Sequence, residues 1–140
     1  DVIGDGPQAD EIRRLEPAGV RMLGAQDASW RDAAAGYTAL IAPGPAIEAA
    51  VPLVVVEAWE AGLPVIALDG GGVAEAVRST GAGVVFDDAA TLVEAIRTVE
   101  SAGIALRKRA RAAYESRHTP MSWVSGIEAV YAQAIAQRGR

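Results

Sequence analysis

The chain has 140 residues, 51% of them hydrophobic, with no cysteine and a formal net charge of −5. That length fits one domain or part of one, the apolar content excludes a disordered chain, and the missing cysteines exclude disulfides and thiolate metal sites. The acidic balance argues against nucleic acid as a partner, and no apolar run nears the roughly 20 residues of a membrane span.

Val2 and Ile3 read as the tail of a strand entering the turn Gly4-Asp5-Gly6-Pro7. Buried strands usually run about five or six residues, so the expectation is a sequence that begins inside a larger fold. Pro7 has no amide hydrogen to lose and suits the first turn of a helix. That helix reaches about Glu16 and is stopped by Pro17 and Gly19. Val20–Leu23 is the next strand. Ser29 with Asp32 has the pattern of a capping box and opens a short helix, beginning near Trp30 and ended by Gly36. Tyr37–Ala42 is a strand running into Pro43.

Residues 52–68 read PLVVVEAWEAGLPVIAL, and three valines in a row favour a strand. No turn separates them from the charged segment that follows, however, and a strand would have to end within a few residues. Pro52–Ala61 is therefore expected to be one helix, apolar nearly all round and hence buried. Gly62 supplies its left-handed stop, and Pro64–Leu68 is a fully buried strand. Asp69–Gly72 is a tight loop into a helix from Val73 to about Arg78, and Gly83–Phe86 is the last strand. Asp87 and Asp88 read as a helix cap rather than a metal site. The helix after them carries Leu92, Val93, Ile96 and Val99 on one face. Another covers about Ile104–Ser116. A final helix, about Pro120–Gln137, is expected to turn Trp123, Ile127, Val130 and Ala134 inward. Trp59 and Trp123 are assigned to the core, His118 to a helix end or loop, and the basic run Arg107, Lys108, Arg109, Arg111 to a solvated helix face.

Strands alternating with helices predict an α/β domain with a mainly parallel, Rossmann-like sheet, treated as a single, incomplete domain over residues 1–140. Ligands of such sheets bind where strand ends feed helix starts. The loops there are GDGP, GAQD, APGPAIEAAVP and DGGG. The third is the longest and delivers the chain to the helix at Pro52. Amides at a helix start attract phosphate, and two glutamates, Glu48 and Glu57, bracket this one. A carboxylate in an otherwise apolar helix needs a partner. Ribose or sugar hydroxyls would serve, because an ionised carboxylate only accepts; solvent or an arginine would serve equally.

Taken in order, GDGP, VRMLG, ALIAP, the block from Pro52 to Val77, GAGVVFDD and the late Ser122-Trp123 resemble family-four (group 1) retaining glycosyltransferases. The likeness is to their C-terminal, nucleotide-sugar-binding domain in the two-domain GT-B architecture, and it covers nearly the whole chain. It implies the following roles. Glu57 would bind ribose hydroxyls, and Glu48, the catalytic candidate, would face the donor sugar. Amides near Leu53 and Val54 would meet the diphosphate. The strand end Arg21, Met22 and Leu23 would lie against the base, with Gly6 in the neighbouring GDGP turn. The donor is a nucleotide-diphosphate sugar, and no cofactor or metal is implied. The expected partner is an N-terminal acceptor-binding domain of the same protein, and the expected location is cytoplasmic. Membrane association is not encoded in these residues.

Three departures accompany the likeness. Eight residues, Ala49–Val56, separate the glutamates where the family has seven, so either the loop is one residue longer or Ala49 stands at the first glutamate's position. Val51-Pro52 replaces a phenylalanine-glycine pair, and a proline gives phosphate no amide hydrogen. The family's arginine and lysine for the diphosphate belong to an upstream segment, so these 140 residues alone are expected not to transfer sugar. Three other readings stand beside this one, one of which keeps the architecture but changes the reaction, as in a sugar-nucleotide epimerase. Gly4, Gly6 and Ala9 fit a dinucleotide fingerprint, with Asp27 near the expected distance, which would make an NAD(P)-binding domain. The irregular glutamate spacing fits a non-catalytic scaffold or binding domain.

Overall fold

A computed structural model describes residues 1–15, 19–27, 29–44 and 50–138. The chain divides into two compact units, Asp1–Ala33 and Ala34–Arg140.

In the first unit, β1 (Val2–Ile3) pairs in parallel with β2 (Met22–Gly24) around α1 (Ala9–Leu15), and α2 (Trp30–Ala33) follows. The elements are shorter than the sequence suggests. The Val2 and Gly4 amides donate to the carbonyls of Arg21 (2.8 Å) and Gly24 (2.9 Å), and α1 opens only at Ala9, whose amide reaches the Gly6 carbonyl at 2.9 Å. The turn before α2 is set by Asp27, whose carboxylate accepts from the Ser29 amide at 2.9 Å. The capping pattern anticipated for Ser29 is thus carried by Asp27, an Asx turn.

The second unit opens with a 3₁₀ turn, Ala34–Gly36, and continues with β3 (Leu40–Ala42), α3 (Leu53–Glu60), β4 (Val65–Leu68), α4 (Gly72–Thr80), β5 (Gly83–Phe86), α5 (Ala89–Arg117) and α6 (Pro120–Arg138). Its sheet is parallel in the order β3-β4-β5, with Leu40 beside Val65 and Val65 beside Gly83. Each strand is joined to its neighbour through a helix, as parallel pairing requires. β4 is the central strand; Val65, Ile66 and Ala67 are buried. Ile66 joins Phe86, Ala95, Val99 and Leu106 in one core cluster, with Leu92 and Ile96 packed against it. Of the α5 face named from periodicity, Leu92, Ile96 and Val99 meet this core, while Val93 stays largely exposed.

α5 begins as the sequence indicates. Asp88 accepts from the Thr91 amide at 2.8 Å while the Thr91 hydroxyl takes the Asp88 amide at 2.9 Å, a reciprocal capping box. The two helices expected over this stretch are both present within α5, parted by a kink at Gly103, where φ is +38° and ψ −113°. Only glycine adopts such a backbone without strain. His118 is the C-cap of α5, and Thr119 with Pro120 starts α6, the Ser122 amide donating to the Thr119 hydroxyl at 3.1 Å.

Two burial expectations are corrected. α6 turns no residue inward: Trp123 is 66% exposed, Val130 60%, and Ile127 is also exposed. Its periodicity is real, but it has no buried residue to match. Among the described residues, no helix is long and apolar enough to cross a membrane. The second correction concerns α3. It is the helix the sequence indicates, against the β preference of its valines, but it is buried on one side only. Val55, Ala58 and Trp59 are buried, whereas Leu53 is 78% and Val54 42% exposed.

Candidate functional site

The site is built on α3, a helix whose two ends are unlike. At its C-terminus every carbonyl of the last turn has a donor. The Ala61 amide meets Glu57 (3.0 Å), the Leu63 amide Ala58 (2.7 Å), the Gly62 amide Trp59 (3.0 Å) and the Arg111 guanidinium Glu60 (2.6 Å). The Gly62 and Leu63 bonds form a Schellman motif, with Gly62 in the left-handed region at φ +69° and Leu63 buried. Just inside this end, the Trp59 indole donates to the Ala82 carbonyl at 3.2 Å and so ties α3 to the entry of β5.

The N-terminus is the reverse. Pro52 is the N-cap, extended at φ −61°, ψ 151°, and no side chain caps the helix. The Val55 and Val56 amides both turn back to the Pro52 carbonyl. Among the described residues, no acceptor meets the amides of Leu53 and Val54. The first amides of a helix have no intrahelical partner, and nothing local replaces one here. These two donors sit at the carboxyl edge of the sheet, where β3 ends at Ala42 and the neighbouring β4 ends at Leu68.

Glu57 lies in the second turn of α3 and is half-buried. Among the described residues its carboxylate takes no hydrogen bond and no ion pair. The arginine partner that the sequence left open is therefore absent among them. Glu48 and Ala49, and with them the question of glutamate spacing, lie outside the described residues.

The loop after β4 forms the other wall of this edge. Asp69 accepts from the Gly70 amide at 2.6 Å and pairs with Arg78 at 2.7 Å, which holds the Asp69 carboxyl below the usual carboxylate range. α4 then starts from Gly71, again without a side-chain cap.

The remaining predicted positions belong to the first unit. The Gly6 carbonyl opens α1. Met22 and Leu23 lie in β2, and the Leu23 carbonyl takes the Gln26 side-chain amide at 2.8 Å. The Arg21 guanidinium is engaged by Asp1 through two bonds of 2.8 Å, and its carbonyl by Val2. Asp27, the acidic residue of the dinucleotide reading, spends its carboxylate on the Ser29 turn, and α1 has only seven residues after the glycines.

Three participants went unread in the sequence. Arg107 donates to the carbonyls of Ala35 and Tyr37, just ahead of β3. Arg111 and Tyr114 hold the end of α3, the Tyr114 hydroxyl reaching the Glu60 carboxylate at 2.9 Å. Two members of the basic run are thus structural pins rather than a solvated face. Their partners lie 51 to 72 residues away, and no local pattern announces such a contact.

Parallel strands joined through flanking helices place the chain in the Rossmann-like α/β class. Within that class, residues 1–101 match the family model of glycosyl transferases, group 1, and the chain belongs to that family. No individual curated protein matches it closely enough to be set beside it.

Proposed function

We propose that this chain is the donor-binding part of a cytoplasmic glycosyltransferase whose donor is a nucleotide-diphosphate sugar. In this reading the diphosphate rests on the Leu53 and Val54 amides. Glu57 accepts hydrogen bonds from the ribose hydroxyls, and Glu48 faces the sugar. The anomeric carbon–oxygen bond to the diphosphate breaks, and a bond to the acceptor oxygen forms with retained configuration, the acceptor hydroxyl passing its proton to the leaving diphosphate. The charge that grows on the leaving diphosphate is met by fixed amide dipoles, which need no reorganisation as it develops. The acceptor is held by an N-terminal domain of the same protein, and no cofactor or metal takes part.

One observation carries this reading. A single helix presents two unmet amides and, one turn further in, a half-buried carboxylate with no partner among the described residues. Donors for an anion and an acceptor for hydroxyls at that spacing suit a ligand with both groups. Family membership supports the same chemistry.

Calorimetric titration of the full-length protein with UDP, GDP and ADP tests it. At least one binds, and its 2′,3′-dideoxy form binds about tenfold to a hundredfold more weakly, the range for a hydrogen bond to a charged group. Glu57→Ala removes that discrimination while keeping the fold. Equal affinity of wild type for the ribose and dideoxy forms would defeat the proposal.

A further inference from the structure

Resting on the donor-site reading above, we infer that Arg111 and Tyr114 are positioning residues for the donor, setting the angle of α3 from the end opposite the ligand. α3 has only eight residues, Leu53–Glu60. Its phosphate-facing end has no side-chain cap, so its direction is fixed from the other end and from its buried side. Glu60 is gripped twice there: its carbonyl by the Arg111 guanidinium at 2.6 Å, its carboxylate by the Tyr114 hydroxyl at 2.9 Å. The grip is itself braced. Arg111 is held by Glu115 at 2.7 Å and lies over the Tyr114 ring, 5.4 Å from its centre. One turn earlier on α5, Arg107 anchors the approach to β3 through Ala35 and Tyr37. The post-kink half of α5 thus fastens both the segment entering β3 and the tail of the helix that follows it.

Leverage makes this matter. Leu53 stands seven residues from Glu60, about 10 Å at the helical rise. A tilt of about 5° around Glu60 would move the first amides by about 0.9 Å and Glu57 by about 0.4 Å. Hydrogen bonds tolerate only about 0.5 Å of spread in length. Loosening the grip therefore disturbs the diphosphate contacts first and the ribose contacts little. A merely structural role would weaken both alike or neither.

The experiment uses the full-length protein and whichever of UDP, GDP and ADP binds best, with the matching nucleoside as its comparison. In the variant combining Arg111→Met with Tyr114→Phe, the diphosphate Kd rises about tenfold, as for one lost charged hydrogen bond. The nucleoside Kd stays within about twofold, because Glu57 moves by less than that tolerance of about 0.5 Å. Tyr114→Phe alone, which keeps the ring and the Arg111 bonds, shows the same separation at about threefold. It decides the matter if the double variant does not fold. Arg111→Lys retains a cation for the Glu60 carbonyl and restores most of the loss. Unchanged diphosphate binding, or parallel weakening of diphosphate and nucleoside, overturns the inference while leaving the donor site intact. Wild-type protein that binds none of the three diphosphates overturns both.

Discussion

Replacing Gly83 with alanine would drive a methyl group into the neighbouring strand. Gly83 pairs with Val65 at the start of β5, and a Cβ built on it would stand 1.8 Å from the Val65 carbonyl oxygen, 2.7 Å from its carbon and 2.8 Å from its nitrogen. All three obstacles are backbone, so no rotamer change relieves them. Reaching ordinary contact at 3.4 Å requires a displacement of about 1.6 Å between the two strands. The bond from the Val65 amide to the Ala82 carbonyl, now 3.1 Å, would not survive it. The Trp59 indole bond to that same carbonyl is strained with it. Two hydrogen bonds at about 1 kcal/mol each add to an overpacking cost of about 1–3 kcal/mol. Alanine's less flexible unfolded chain returns about 0.4–1 kcal/mol. The net expectation is about 3 kcal/mol of destabilisation, or about 10 °C in Tm for a chain of this size. Urea unfolding followed by circular dichroism measures it. Gly126→Ala is the control: it meets nothing within 4 Å on the exposed α6 and should be neutral or stabilise by up to about 1 kcal/mol. If Gly83→Ala behaves like Gly126→Ala, the close pairing of β4 and β5 is refuted.

Two other expectations follow from single residues. Burial, and then the neighbouring Arg117, push the His118 pKa below 6.5, while its ring lies 5.5 Å from that of buried Trp59. The unfolded chain therefore binds the proton more readily. Stability is full above pH 6.5 and is lost as pH falls through the depressed folded value. Urea midpoints between pH 5 and 8 should decline on the acid side in wild type and flatten in His118→Gln; identical profiles would contradict this. Gly103→Ala places a side chain at φ +38° with open space around it, so its cost is purely backbone. A loss of about 1–2 kcal/mol is expected, measured by thermal melting, and a stabilised variant would show that the α5 kink is not held.

Local rules made the order of elements legible. Gly62 stops α3, Asp88 caps α5, and a continuous run into Glu57 and Glu60 makes a helix of three valines that favour strands. Each is a matter of a few adjacent residues. The two helices anticipated on either side of Gly103 are both there, because its positive-φ backbone interrupts the helical path. What stayed hidden depends on distant partners. Apolar periodicity says that α3 and α6 have a face to bury but not which neighbour covers it, so the exposure of Leu53, Val54 and Trp123 could not be read. In the same way, Arg111 is indistinguishable from a surface arginine until α5 folds back on Glu60. For the candidate site, the sequence reading reached Leu53, Val54 and Glu57 on their shared helix but not the clamp behind them.

The lopsided finish of α3 also bears on the life of the protein between encounters. With its tail tied off by Gly62, Leu63 and Arg111, the helix does not depend on an occupant to stay wound. In the donor site proposed above, a departing ligand would leave wet amides behind rather than an unravelled segment, so each new arrival would meet a finished berth.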